Sequence, residues 1–260
     1  MKEQIQTKLD KLKTRHGFEI LFAIESGSRE WGISSPDSDY DVRVVFFYPA
    51  ETYLDIVPYA EDIAQIEDNI DIHAMELRKF TKLLLNSNPT CAEWVQSKTI
   101  YAGKIPEIFT GFVEQDLNLH NLAHHYKGLG KSNYHKYLET GKDTSLKRYL
   151  YIVKGWLSSV VALSGQRPSV HFNTLLQQAT PHLTQPQIRV IETMLNQKVN
   201  TPEKKEYGEH TKFKEWVCDF LNTEIPSKQK KMFALEPYRD FVKQTIQRNN
   251  QYVSDTRTDQ

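Results

Sequence analysis

The stretch FAIESGSREWGISSPDSDYDVRVVF, residues 22–46, decides how the rest of this chain is read. It begins apolar, breaks at a Gly-Ser pair, crosses ten mixed residues from 29 to 38, and ends in an apolar run carrying Asp39 and Asp41 around a tyrosine. Glu19–Glu25 (EILFAIE) reads as a strand entering a turn at Ser26-Gly27-Ser28, and Tyr40–Tyr48 (YDVRVVFFY) as a strand rich in β-branched and aromatic residues, stopped by Pro49. Strand side chains alternate faces, so Asp39, Asp41 and Arg43 share one face while Tyr40, Val42 and Val44 take the other. Asn69–Met75 (NIDIHAM) reads as a third strand, with Asp71 again a lone carboxylate in an apolar frame.

If these strands pair, three carboxylates converge. Two such charges 4 Å apart repel by about 4 kcal/mol at an effective dielectric near 20, so the cluster calls for a cation or for protons. Hard divalent ions are the natural occupants, and Mg²⁺ is usually held by a few carboxylates together with substrate phosphates. That combination suits two-metal phosphoryl or nucleotidyl transfer. Gly27 lets the backbone turn sharply and come close to a ligand, Ser28 supplies a hydroxyl, and Arg29 and Arg43 are candidate phosphate-side charges.

Composition is that of an ordinary folded chain: 260 residues, 39% hydrophobic, 25% charged and no formal net charge. A chain of this length buries about 70–75% of its unfolded surface and needs no disulfide or structural metal for a core. Cys91 and Cys218 lie far apart without CxxC spacing, which fits a reducing compartment. The N-terminus MKEQIQTKLDKLKTRHG has no apolar signal region and no run is long enough for a membrane span, so a cytoplasmic protein is expected. The neutral total hides an asymmetry. Phe18–Phe80 carries fourteen acidic and four basic side chains, whereas Tyr126–Lys154 carries seven Lys/Arg against Glu139 and Asp143. The two segments are either solvated surfaces or the opposed walls of a cleft for cations and phosphates.

Along the chain, residues 3–15 suit an amphipathic helix with Ile5, Leu9 and Leu12 on one face. Residues 49–68 read as an irregular excursion, Glu76–Asn86 as a helix, and a further helix is expected through Ala92 and Trp94. Beyond about residue 105 helical spacing dominates, with breaks at Gly128/Gly130, Gly141, Gly165–Ser169, Pro181–Pro186, Asn200–Glu203 and Pro226. The expected fold is α+β: a small mixed sheet with helices over residues 1–104, a helical substrate-binding domain over 105–250, and a flexible tail at 251–260. In a helix through Leu146–Leu163, Lys147, Tyr151 and Lys154 line one face, which is either solvated or a site for a triphosphate and base or an RNA end. Lys127, Lys131 and Lys136 with Tyr134 and Tyr137 form a weaker candidate of the same kind. His120 and His124 have i, i+4 spacing without the acidic residue of a zinc motif, and His73 shares the Asp71 face.

GSREWG (Gly27–Gly32) followed by SPDSDYDVR (Ser35–Arg43) resembles the DNA polymerase beta-type nucleotidyltransferase superfamily, within it the predicted nucleotidyltransferases found with RNA-repair genes. DIHAMELRKF (Asp71–Phe80), SNPTCAEW (Ser87–Trp94), LKRYLYIVKGWL (Leu146–Leu157) and PSVHFNTLL (Pro168–Leu176) extend the resemblance over most of residues 18–180. It implies Gly27 and Ser28 at a nucleoside triphosphate, Asp39 and Asp41 as ligands of two Mg²⁺ (or Mn²⁺) ions, and Asp71 as the third carboxylate, a metal ligand that also helps deprotonate the attacking hydroxyl. It also favours Lys147, Tyr151 and Lys154 as nucleotide-binding residues. Glu30 departs from the small residue expected in the turn, and Lys154 stands where arginine is common. The reaction implied moves a nucleoside monophosphate from an NTP to a hydroxyl, with an RNA 3′ end, in tRNA or RNA repair, as preferred acceptor. A protein side chain is the alternative acceptor, and a nucleotide sensor without turnover the alternative class. Retention of all three carboxylates argues against the sensor.

Overall fold

Ile5, Leu9 and Leu12 are buried along α1 (Lys2–His16), as their spacing requires, and Gly17 ends that helix in the left-handed conformation at φ 66°. The computed structural model describes residues 1–202, 206–208, 211–225 and 233–257. After α1 come β1 (Glu19–Ser26), the single-turn α2 (Gly27–Glu30), β2 (Tyr40–Phe47), α3 (Ala50–Leu54), β3 (Asp62–Glu67), β4 (Ile70–Glu76), α4 (Leu77–Leu85), α5 (Pro89–Val95) and β5 (Ile100–Gly103). The five strands form one mixed sheet in the order β3-β4-β2-β1-β5. The β2–β4 pair is parallel and the other neighbours run antiparallel.

The excursion expected at residues 49–68 is therefore structured, holding α3 and the edge strand β3. Asp68 and Asn69, at φ 52° and 59°, make the two-residue turn between β3 and β4. Positive φ at both central residues matches the right-handed twist of a hairpin, and Asp and Asn tolerate it better than other non-glycine residues.

Alternation sorts the sheet's two faces. Val42, Val44 and Phe46 of β2 with Ile70, Ile72 and Ala74 of β4 pack against Ile5, Leu9 and Leu12 of α1. Val45, Phe47 and Met75 point to the other side, into a cluster with Leu77, Phe80 and Leu84 of α4 and Trp94 of α5. Asp41, Arg43, Asp71 and His73 belong by period to that second face.

The rest of the described chain is helical: α6 (Glu107–Gly111), α7 (Leu119–Asn133), α8 (Leu146–Leu163), α9 (Phe172–Ala179), α10 (Gln185–Val199), α11 (Thr211–Asn222) and α12 (Glu236–Arg257). Gly128 and Gly130, expected as a break, lie inside α7. Gly130 serves packing instead: a Cβ on Gly155 of α8 would lie 2.9 Å from the Tyr126 carbonyl oxygen and 3.0 Å from the Gly130 nitrogen, so the two helix backbones touch where both lack side chains. Gly141 and Gly165, at φ 64° and 84°, do separate helices. The breaks expected at Glu203 and Pro226 lie outside the described residues, as do the last three residues of the expected tail, into which α12 continues as far as Arg257.

One buried cluster runs across the 104/105 boundary, joining Phe22 and Ile24 of β1 to Phe109, Leu122, Tyr126 and Ala162. A second, built on α8, α9, α10 and α11, includes Ile33 from the loop after α2. The loop after α2 thus packs on the helical core as well as joining two strands of the sheet. Cys91 is buried, Cys218 is partly so, and both are free thiols. No described helix is long and apolar enough to cross a membrane.

Candidate active site

Parallel pairing of β2 with β4 sets Asp41 directly beside Asp71. Between them stands Arg43, whose Nη2 donates to Asp41 Oδ1 at 2.6 Å and to Asp71 Oδ2 at 3.0 Å, while Nη1 donates to the Asp71 carbonyl at 2.9 Å. Burial pushes the Asp41 carboxyl above its ordinary value, Arg43 opposes the shift, Asp71 adds to it, and Lys147 and Asp39 make smaller contributions in opposite directions. Gly27 presses on the same group. It has φ 63°, and any Cβ there would collide with Asp41 Oδ2. Only glycine meets both conditions, which explains the Gly-Ser break in the sequence. Ser28 is buried beside it in α2.

Asp39 lies one residue before β2 and is exposed, so its carboxylate stands outside the Asp41–Asp71 pair. Among the described residues no three His, Cys, Asp or Glu side chains come close enough to share one metal ion. The donor set nonetheless suits a divalent cation chemically: hard carboxylate oxygens from adjacent strands, a third carboxylate upstream, and a Cβ-free turn against Asp41. Arg29 does not reach into this cluster. Its Nη2 donates to the Ser38 carbonyl at 2.6 Å and its Nε to the Asp39 carbonyl at 3.2 Å, with the guanidinium 3.8 Å over the Tyr40 ring. Glu30 turns away, accepting the Lys98 N–H at 2.7 Å. His73 sits 3.4 Å from Asp62 Oδ1 and against the Trp94 ring.

A residue the sequence reading missed lies behind Asp41. Glu25, 3% exposed, accepts the Asp41 N–H at 2.9 Å and the Tyr101 hydroxyl on its other oxygen. Burial pushes its carboxyl up.

The facing wall comes from α5, α7 and α8. Lys154 is 4% exposed and its Nζ donates to Glu93 Oε1 at 2.9 Å, 4.2 Å above the Trp31 ring. Glu93, also missed, further accepts the Tyr126 hydroxyl at 2.8 Å and the Trp31 indole N–H at 3.1 Å. Burial pushes the Lys154 ammonium down and the Glu93 charge opposes it. Tyr151 meets Trp31 edge-on at 5.0 Å, and Lys147 is near enough to bias Asp41. A pocket of about 320 Å³ opens between the walls, lined by Gly27, Asp41 and Arg43 on one side and Trp31, Tyr151 and Lys154 on the other. A larger cavity of about 770 Å³ lies between α4 and α12, away from every carboxylate of the cluster, and the chemistry favours the smaller one. In the basic group at the end of α7 and in the turn after it, Lys127 donates to the Thr223 carbonyl, Lys136 lies 4.9 Å over Tyr137, and the Tyr134 hydroxyl is 3.3 Å from Cys218 Sγ.

Residues 1–248 match the family described as RNA repair pathway DNA polymerase beta family (RlaP). The chain is 32% identical over 238 residues to the uncharacterized protein YcgL of Bacillus subtilis (strain 168), covering 86% of this chain and 85% of that one. A crystal structure of a nucleotidyltransferase-like protein from Exiguobacterium sibiricum 255-15 aligns over 85% of this chain and 72% of its own, at 13% identity and a TM-score of 0.31, a score too low to support a comparison of folds.

Proposed function

Because the chain belongs to the RNA repair pathway DNA polymerase beta family, we propose that it is a Mg²⁺-dependent nucleotidyltransferase that moves a nucleoside monophosphate from an NTP to the hydroxyl of an RNA 3′ end. The observation that carries the reading is the Asp41–Asp71 pair, adjacent in parallel register beside the Gly27 turn and bridged by Arg43. Asp39, Asp41 and Asp71 are the residues that would hold the divalent ions. Bound there, the ions would neutralise phosphate charge and lower the pKa of the attacking hydroxyl. The chain's own groups do the rest. The Gly27–Ser28 turn receives the triphosphate, Arg43 keeps the two carboxylates together against their repulsion, and Asp71 takes the proton of the attacking hydroxyl. A bond forms from that oxygen to the α-phosphorus while the α–β bridging bond breaks and pyrophosphate leaves. Little covalent work falls to the protein, so positioning and charge neutralisation supply the rate. Lys147, with Tyr151 and Trp31 beside the pocket, supports a nucleotide with its base toward the helical wall.

The test offers purified protein, Mg²⁺ and each α-labelled NTP in turn to a pool of total RNA and to a protein lysate, with Asp39→Ala/Asp41→Ala as control. Label in RNA that the control lacks is the expected result and names the nucleotide. Label in a protein band transfers the reading to a protein-modifying enzyme. NTP binding with no label in either pool overturns both acceptors and leaves a sensor or a small-molecule substrate.

A further inference from the structure

Arg78 and Lys82 stand one helical turn apart on α4, and Arg239 and Lys243 one turn apart on α12. Residues four apart are neighbours on a helix surface, and like charges at that spacing destabilise the helix. All four side chains line one cavity, the space of about 770 Å³ between these two helices, and all four are exposed. Among the described lining residues Asp116 is the carboxylate that faces them. Arg78 is partly engaged, with Nη1 donating to the Tyr59 hydroxyl at 3.0 Å and the guanidinium 5.5 Å from the Tyr53 ring, and Arg239 lies 3.7 Å from Glu236. The ammonium groups of Lys82 and Lys243 have no hydrogen bond or ion pair among the described residues. Two helices thus each set a repelling pair around the same opening, an arrangement that an anionic ligand relieves.

The cavity is held open by the way α12 docks. Phe241 packs edge-on against Phe109 at 5.2 Å and Tyr238 against Phe112 at 5.8 Å, which fixes the helix to the main core. Leu85, Phe233, Leu235 and Val242 are left lining the space, with Asn86, which caps α4, and Asn121, in the first turn of α7, beside them. The volume falls in the range of ligand pockets. A single carboxylate or phosphate would meet one pair of cations. Pairs on two separate helices suit anionic groups repeated along a backbone, and the apolar wall suits a flat ring. The cavity shares no described lining residue with the active-site pocket, yet the α4–α5 turn joins them: Asn86 and Ser87 line the cavity, Pro89 and Thr90 the pocket. We propose that the cavity is a second site for single-stranded RNA. Phosphates lie on the Arg78/Lys82 and Arg239/Lys243 pairs, a base enters against Phe233 and Leu235, and the strand continues over the α4–α5 turn with its 3′ end in the active-site pocket. The proposal rests on the reading of an RNA end as acceptor and names where the strand behind that end is held.

The test measures binding of a short 5′-labelled oligoadenylate by fluorescence anisotropy over a salt series, without NTP, alongside thermal unfolding. Lys82→Glu/Lys243→Glu is expected to weaken binding about 10-fold or more at low salt. It should also flatten the slope of log affinity on log salt by about 1.4, the share of two phosphate contacts on a single strand. Its melting temperature should hold or rise, because each change turns a repelling pair into an attracting one. Lys2→Glu/Lys11→Glu makes the same charge change on α1, across the sheet from α4, and should leave affinity within about twofold. Val242→Phe fills part of the cavity and keeps all four cations, so it should weaken the intact strand and leave an abasic strand of equal length unchanged. No binding by the wild type, wild-type affinity in the reversal variant, an equal loss in the α1 control, or an intact strand indifferent to Val242→Phe would each overturn the site. Adenosine monophosphate that displaces the strand from the wild type and no longer binds the reversal variant would give the cavity to a free nucleotide and overturn the RNA site. The labelled-NTP assay separates the two levels. Label that enters RNA while these variants leave strand binding unmoved sinks the site alone, whereas label confined to protein, with no oligoadenylate bound, overturns the acceptor and the site with it.

Discussion

The two walls of the pocket handle charge in opposite ways. On the sheet side, Asp41 and Asp71 are bridged by one guanidinium, that of Arg43, and Asp39 stands exposed. On the helical side, Glu93 gathers an ammonium, a phenol and an indole N–H around one carboxylate, all within a buried network. The first wall keeps acidic charge facing the pocket, which suits a wall that takes up cations. The second is neutral and pre-arranged, which suits a wall that orients Trp31 and Tyr151. Two lysines on one helix, Lys147 and Lys154, look equivalent in sequence yet divide between these roles, one biasing Asp41 and one buried against Glu93.

If the sheet wall carries the chemistry, Asp41→Ala or Asp71→Asn should reduce transfer about 1,000-fold or more, since metal-borne charge stabilisation is worth several kcal/mol of barrier. Initial rates in the labelled-NTP assay check this, and transfer surviving within tenfold in either variant would break the comparison. The helical wall should answer in stability instead. Glu93→Ala leaves the Lys154 ammonium buried without its carboxylate, and breaking such a pair costs about 3–5 kcal/mol. Urea unfolding should register that loss, and Glu93→Gln/Lys154→Met should recover most of it because no charge is then left buried. A double variant as unstable as Glu93→Ala would mean that packing, not charge pairing, governs this wall.

The difference between the walls was only half legible in the sequence. Asp41 and Asp71 stand out because strand period two is local, and a carboxylate inside a β-branched and aromatic run breaks an apolar pattern; Asp39, one residue ahead of β2, lies outside the strand that period assigned it to. The helix stripe of α1 and the strand–Gly-Ser turn are legible for the same reason. Register is not local. That β2 and β4 run parallel, with Asp41 opposite Asp71, depends on a crossover that includes β3, whose DIAQIE sequence is too polar on its exposed edge to signal a strand. The Asp68-Asn69 pair was a usable turn signal that pointed to it. Glu93 carried a signal too: an acid inside PTCAEWV, an otherwise apolar short helix, must find a distant partner or remain in water. Lys154 could not be resolved by periodicity because α8 is buried on nearly all sides, so no solvent face marks which lysine goes in.

Gly27 is where the sheet wall meets the proposed triphosphate site, and Gly27→Ala tests whether that contact is needed. The substitution strains a φ of 63° and drives a methyl into the Asp41 carboxylate. It should destabilise by about 1–3 kcal/mol, the usual range for an imposed left-handed residue, and reduce nucleotide-dependent activity by more than that destabilisation explains. An active, stable Gly27→Ala would place the ligand elsewhere.

The smallest effect is the most direct test of which wall bears unmet charge. Burial raises the Asp41 carboxyl above its unfolded value, so in the metal-free protein its ionised form opposes folding. The sign follows from linkage: the folded state holds the proton more tightly, so the penalty is absent below the unfolded value near 3.8, grows as pH rises through the raised folded value, and is complete above it. Asp41→Asn removes the charge while keeping an oxygen for Arg43. Metal-free Asp41→Asn should therefore unfold about 2–4 °C higher than wild type at neutral pH, the shift a change of ~1 kcal/mol produces in a chain of this length. That advantage should vanish as the pH falls below the ordinary carboxylate range. Excess Mg²⁺ should reverse the order at neutral pH, because only the wild-type carboxylate gains from the ion. A variant that is less stable than wild type without metal, at every pH, would mean that Arg43 already satisfies Asp41, and that the sheet wall is as internally neutral as the helical one.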